Sequence, residues 1–258
     1  MPERTSYAPG TPCWVDIGTD LDGAKPFYTG LFGWTAMDAP GNPEETGGYG
    51  FFMKGDKMVA GYGQQQNPGP PVWATYIAVA DADETSKKIE AAGGSIVMPA
   101  MDVMGAGRMA IFQDSAGGFC SIWQPGEHKG AQLANEAGAF SWNELNSRDV
   151  DKSIAFYGSV FGWTHETHTM EGPVSSYTEF MLDGNTIGGM LPMPPMVPAE
   201  VPQFWLVYFG VADLDASLTK AQELGGTKMT DPMQVDAGRF ALIMDPQGAA
   251  LSIIQLAQ

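Results

Sequence analysis

An internal repeat constrains this chain more than any other feature. Phe27-Tyr28-Thr29-Gly30-Leu31-Phe32-Gly33-Trp34-Thr35 returns as Phe156-Tyr157-Gly158-Ser159-Val160-Phe161-Gly162-Trp163-Thr164, identical at six of nine places. Trp73 leads into Val79-Ala80-Asp81-Ala82-Asp83, and Trp205 leads at the same distance into Val211-Ala212-Asp213-Leu214-Asp215. Gly107-Arg108 runs to Asp114 as Gly238-Arg239 runs to Asp245. Residues 1–128 and 136–258 therefore read as two copies of one domain, and each copy divides again into two similar halves.

Each quarter opens with a strand, continues as a helix and closes with about three strands. In the first, Trp14 to Gly18 is the opening strand. Asp20 is a helix N-cap, followed by Leu21, Ala24, Tyr28 and Leu31 at helical spacing. Pro26 inside that helix should weaken or kink it. The second quarter gives a strand over Ala74 to Ala80 and a helix over Asp83 to Ala92. Strands then follow near Ser95 to Met98, Arg108 to Gln113 and Phe119 to Trp123, with Gly117-Gly118 as a turn. The later quarters repeat the plan, with helices near Val150–Phe161 and Leu214–Leu224 and a glycine stop at Gly225-Gly226. The Pro-rich stretches Gln64 to Pro71 and Leu191 to Pro202 read as spacers within the domains, and the polar stretch Pro125 to Gly138 as the link between them.

With 258 residues, 44% of them apolar, the chain can build two cores of ordinary size. No apolar run of about 18 residues occurs, so no membrane-spanning helix is expected. The opening Met1-Pro2-Glu3-Arg4-Thr5-Ser6 lacks the apolar segment of a secretory signal, and a cytoplasmic location is expected. Thirty acidic residues against thirteen basic ones give a formal net charge of −17. That field repels phosphate backbones, which excludes nucleic acid as a partner, and the even spread of the acids reads as a solubility device. Two cysteines, Cys13 and Cys120, make no disulfide framework and fit a reducing compartment.

The paired strand–helix–strands plan resembles the vicinal-oxygen-chelate superfamily, which includes glyoxalase I, bleomycin-resistance proteins and extradiol dioxygenases. The residues that carry the resemblance are Asp20-Leu21-Asp22 through Phe27-Tyr28, Asp149-Val150-Asp151 through Phe156-Tyr157, and the closing Asp245-Pro246-Gln247-Gly248. It implies an α+β fold in which four βαβββ modules pair into two glyoxalase-like domains, each with a curved, cavity-forming sheet. Metal-dependent members take His, Gln or Glu from the first strand of each module and a Glu from a last strand. Those positions fall here on Trp142, Ala74, Leu206, Ser121 and Ser252. In the first quarter simple counting gives Cys13 and matching the repeats gives Trp14. Trp14 is preferred, because Val15 and Ile17 then align with Asn143 and Leu145. These are not the imidazole or carboxylate donors that Zn²⁺, Fe²⁺ or Mn²⁺ require, and a lone Cys13 would have no companions. No metal and no cofactor is expected.

Side chains alternate along a strand, so Asp16 shares a face with Trp14, and Glu144 and Asn146 share one with Trp142. The same parity brings Tyr76, Ser121 and Trp123 into the first cavity and Tyr208 and Ser252 into the second. Asp16 and Glu144 are the candidate catalytic acids or bases. Trp14, Tyr76, Ser121, Trp123, Trp142, Asn146, Tyr208 and Ser252 are the candidate ligand contacts. Indole faces suit a flat or apolar ligand, and a desolvated carboxylate can accept a hydrogen bond or a proton. The competing reading is an internal network in which the Tyr and Ser hydroxyls satisfy the acid.

His128 is expected in solvent. His165 and His168, on one strand, would point to opposite faces and could not share a metal. Arg108 and Arg239 read as carboxylate clamps or as structural ion pairs. The methionine clusters (Met98, Met101, Met104, Met109 and Met190, Met193, Met196) read as adaptable walls or plain packing. Cys120 should face the helices. No G-x-S-x-G elbow, Cys–His signature or P-loop occurs. The expected function is therefore metal-independent binding of a small aromatic or apolar molecule. The alternative is a glyoxalase-like lyase, isomerase, dioxygenase or hydroxylase working through an atypical metal site or through Asp16 and Glu144. The expected assembly is a monomer or a homodimer.

Overall fold

The computed structural model describes residues 3–65, 69–171 and 174–257. The chain runs β1 (Pro12–Thr19), α1 (Leu21–Phe32), β2 (Thr35–Asp38), the short α2 (Pro43–Thr46), β3 (Gly50–Lys54) and β4 (Lys57–Gln64). A second module follows: β5 (Val72–Ala78), α3 (Ala82–Ala91), β6 (Ser95–Val103), β7 (Gly107–Gln113) and β8 (Phe119–Pro125). The third is β9 (Phe140–Ser147), α4 (Val150–Phe161), β10 (Thr164–Thr169), β11 (Ser176–Leu182) and β12 (Asn185–Pro192). The fourth is β13 (Phe204–Gly210), α5 (Leu214–Glu223), β14 (Thr227–Lys228), β15 (Met233–Val235), β16 (Gly238–Met244) and β17 (Ala250–Leu256). Of the connector expected over 64–71, residues 66–68 lie outside the described residues.

An aspartate starts every long helix. Asp20, Asp81, Asp149 and Asp213 each accept a hydrogen bond from a backbone N–H of the first turn, which satisfies a donor the helix itself cannot. α1 and α4 end on Gly33 and Gly162, both with the left-handed backbone that closes a helix without a Cβ penalty. Pro26 does not break α1, which runs through it to Phe32. β6 extends past the expected Met98 to Val103, with register irregularities on the way.

The first two modules form one eight-stranded sheet in the order β2-β3-β4-β1-β5-β8-β7-β6. The last two form a nine-stranded sheet, β10-β11-β12-β9-β13-β17-β16-β14, with β15 on β16. In each, the opening strands of the two modules pair antiparallel at the centre: Trp14 stands opposite Tyr76, and Trp142 opposite Tyr208. This register settles the Cys13 or Trp14 alternative, since Trp14 occupies the place of Trp142. Both sheets are open at their ends. The architecture is α+β, as the repeat implied.

The helices lie between the two sheets, and the core they make crosses from one sheet to the other. Phe27, Tyr28 and Leu31 of α1 pack with Leu214, Leu218 and Ala221 of α5. Ile89 of α3 packs with Phe156, Tyr157 and Val160 of α4. Buried hydrogen bonds fix each junction. Tyr28 donates to Asp245 and accepts from Trp73 Nε1, and Tyr157 donates to Asp114 and accepts from Trp205 Nε1. Thr75 donates to Asn143 where β5 meets β13 and β9. None of the four long helices covers the other face of either sheet, and there the candidate residues lie.

Candidate ligand-binding site

On the helix-free face of the first sheet, Asp16 sits in the middle of an aromatic cluster. Tyr49 and Tyr76 both donate to its Oδ2, at 3.0 and 2.9 Å, and Trp14 Nε1 donates to Tyr49 at 3.0 Å. Among the described residues Oδ1 receives no protein hydrogen bond. Trp14, Tyr76, Ser121 and Trp123 are buried around the carboxylate, which itself is only half-buried. Burial pushes the Asp16 carboxyl up to about 6, and the two tyrosine hydroxyls offset only part of that.

The second sheet repeats the arrangement. Tyr208 donates to Glu144 Oε1 at 2.9 Å, and Trp142 Nε1 donates to Tyr177 at 2.9 Å. Glu144 is buried, and that burial raises its carboxyl to about 7 against the opposing pull of Tyr208 and Tyr177. Asn146 and Ser252 are buried on the same face; Ser252 is partnered by the Tyr208 hydroxyl, while among the described residues Asn146 Nδ2 has no hydrogen-bond partner. Around them Leu206, Tyr208 and Ile254 form an apolar cluster with Trp142, Phe204, Phe240, Leu242 and Leu256.

The sequence reading brought these residues to the right faces but missed Tyr49 and Tyr177. Each reaches its carboxylate from two strands away, across a glycine of the intervening strand. A Cβ on Gly61 would collide with the Tyr49 hydroxyl, and one on Gly189 with that of Tyr177. A signal existed: each tyrosine lies 35 residues after its tryptophan partner.

Other expectations need correction. His128 is not solvated. It packs edge-on against Trp14 at 4.4 Å and lies near Phe51 and Trp123, with both ring nitrogens buried and without a partner among the described residues. Burial pushes its imidazole down to about 4, so it is neutral at pH 7. Arg108 pairs with Asp83 and Asp102, and Arg239 with Asp215, all as structural ion pairs. Met101, Met104 and Met196 are exposed while Met190 and Met193 are buried, so the methionines make no single wall. Cys13 and Cys120 are free, buried thiols, and Cys120 donates to Thr75 O.

The positions at which metal-dependent relatives place ligands hold no suitable donor here. Trp14 and Trp142 present indole N–H groups already donated to tyrosines, and Ala74, Leu206, Ser121 and Ser252 complete the set. The residues do not fit a metal at that place. Elsewhere among the described residues one group has ligand character: Glu166, His168 and Glu179, whose donor atoms lie within 4.8 Å of one another. His168 joins it by sharing a face with Glu166, while His165 points away, as strand parity requires. Two cavities of about 500 Å³ each lie off the carboxylates. One, between α1 and α5, is lined by Phe32, Lys54 and Ser217. The other, beside the N-terminal segment, has Trp142 in its wall. No helix of the described residues is long and apolar enough to cross a membrane.

The sequence model of the Glyoxalase/Bleomycin resistance protein/Dioxygenase superfamily matches residues 17–119 and 139–253. A Mycobacterium tuberculosis protein named "Putative glyoxylase CFP32" is 40% identical over 99% of this chain and 98% of its own length. Anthracycline biosynthesis protein DauV of a Streptomyces species is 34% identical, over 98% of this chain and 95% of its own. In fold, the chain is similar to the Mn(II)-bound glyoxalase of Novosphingobium aromaticivorans, with a TM-score of 0.66 and 15% identity over 96% of this chain and 82% of that one. It is equally similar to the 2,3-dioxygenase LapB of a Pseudomonas species, with a TM-score of 0.66 and 12% identity over 96% and 92%.

Proposed function

This chain belongs to the glyoxalase/bleomycin resistance protein/dioxygenase superfamily, and from that premise we propose that it binds a small aromatic or apolar molecule at the carboxylate–tyrosine clusters of its sheets, without a metal there. The observation that carries the proposal is the twice-built cluster, at the place where a metal would stand, of a carboxylate bonded to two tyrosines, one of which accepts from a tryptophan. Among the described residues Asp16 keeps one oxygen free of partners, so a ligand hydroxyl or ammonium can donate to it. The surrounding indole and phenol rings offer flat apolar surface. Relatives named for anthracycline biosynthesis make an anthracycline the first compound to try.

A second reading, an acid–base lyase or isomerase, draws on one observation. A carboxyl held near 7 is half ionised at neutral pH and can accept a proton from a bound substrate, while the neighbouring tyrosines stay protonated as donors. Elemental analysis of freshly purified protein, followed by tryptophan-fluorescence titration with small aromatics, tests the first reading. The expected result is no stoichiometric transition metal and saturable quenching that weakens in Asp16→Asn and Glu144→Gln. Stoichiometric Fe, Zn, Ni or Mn lost in either variant would overturn it, as would the absence of quenching by every compound.

A further inference from the structure

The two helix-free faces diverged at equivalent places. Tyr49 and Tyr177 correspond, each bonded to its tryptophan. Two residues on, the first sheet has Phe51, packed against Trp14 and His128 and paired across the strands with Met37. The second sheet has Glu179, paired directly with Glu166. Like charges directly opposite one another in an antiparallel pair are destabilising, so this exchange of an apolar pair for two carboxylates works against the sheet. Among the described residues neither glutamate has a Lys or Arg partner. Only His168 approaches, with Nε2 3.6 Å from Glu179 Oε2.

The floor of the same face holds a second anomaly. Asn146 is more than nine-tenths buried, yet among the described residues its Nδ2 has no hydrogen-bond partner. Buried polar groups are ordinarily paired, and one left unpaired is destabilising. By strand parity it shares the face of Glu144, among the apolar side chains of Trp142, Leu206 and Phe240. No lysine or arginine of the described strands points to this face. The face thus combines a flat apolar floor, an unmet donor, and three carboxylates that among the described residues have only His168 and no lysine or arginine beside them.

We propose that the helix-free face of the second sheet selects a flat apolar organic cation with a hydrogen-bond acceptor. The proposal rests on the small-molecule-binding reading above and adds a charge to the ligand of the second sheet. The apolar body lies over Trp142 and Leu206, Asn146 donates to the acceptor, and the positive charge sits between Glu166 and Glu179. The first sheet, where Phe51 and His128 fill the equivalent space, plays no part in charge selection.

The test uses the full chain and two flat probes of similar size: 9-aminoacridine, cationic at neutral pH, and 9-anthracenecarboxylate, anionic. Binding is read by fluorescence titration. The cation is expected to bind at least about tenfold more tightly than the anion. That preference should shrink about tenfold in the Glu166→Gln/Glu179→Gln double variant and on raising salt from about 0.05 to about 0.5 M. Glu90→Gln, an exposed acid on α3, should leave it unchanged. Equal affinity for both probes, with both weakened in Glu144→Gln, would overturn the charge assignment while leaving the small-molecule reading intact. No binding of either probe would overturn both. Stoichiometric binding of Zn²⁺ alone, lost in His168→Ala, would give Glu166, His168 and Glu179 to a metal and overturn the organic-cation assignment.

Discussion

Replacing Glu144 with glutamine should change how stability depends on pH. The carboxyl titrates at about 7 in the folded protein and near 4.5 when unfolded. Below pH 4.5 both states hold the proton, and Glu144 adds no pH dependence. Between 4.5 and 7 the unfolded chain releases it and the folded one keeps it. The folded state then binds more protons, so stability falls as pH rises. Above 7 both states are ionised and the penalty is complete. At about 1.4 kcal/mol per pH unit across that interval, wild-type protein should lose about 3 kcal/mol relative to Glu144→Gln between pH 4.5 and pH 8. The glutamine carbonyl can still accept from Tyr208, and its amide adds only a pH-independent offset. Urea denaturation of both proteins from pH 4.5 to 8.5 isolates this residue, because every other titrating group cancels in the difference. Parallel curves would mean that Glu144 ionises as readily folded as unfolded. Its candidacy as a base near neutral pH would then fall.

Three further outcomes are expected. Tyr28→Phe removes the donor to Asp245 and the acceptor of Trp73 Nε1, so it should cost about 1–3 kcal/mol in chemical denaturation; a loss under about 0.5 kcal/mol would show that this junction is not held by that hydroxyl. His128, buried and neutral with its folded pKa depressed to about 4, contributes stability above 6.5 that is lost as pH falls from 6.5 towards 4. His128→Phe should flatten thermal melts over that window, and an unchanged slope would contradict the burial argument. Cys13 and Cys120 should resist a thiol reagent in native protein and react together on unfolding, since burial raises both thiols; rapid native labelling of either would refute this.

The fold could be read from the chain because its signals are local and occur four times. Asp20, Asp81, Asp149 and Asp213 each announce a helix, and Gly33 and Gly162 end two of them. The face of Asp16 and Glu144 followed from strand parity alone. What parity could not supply was reach. Tyr49 and Tyr177 reach in from beyond the adjacent strand, and only the missing Cβ of Gly61 and Gly189 lets them arrive. His128 was misplaced because a polar link between repeats ordinarily runs through solvent. Here the link turns back, and Trp123 Nε1 donates to His128 O while the ring tucks against Trp14. Glu179 went unnoticed because its partner Glu166 lies across a hairpin, where register and not spacing decides proximity.

The placing of the helices has one more consequence. The hydrophobic interior belongs to neither sequence half: module one is completed by module four, and module two by module three. Polypeptide cut within 129–135 should therefore yield two sticky fragments rather than two miniature proteins, each exposing a greasy flank that only its sibling covers. Co-expressed, they should find each other and reassemble; made singly, each should aggregate.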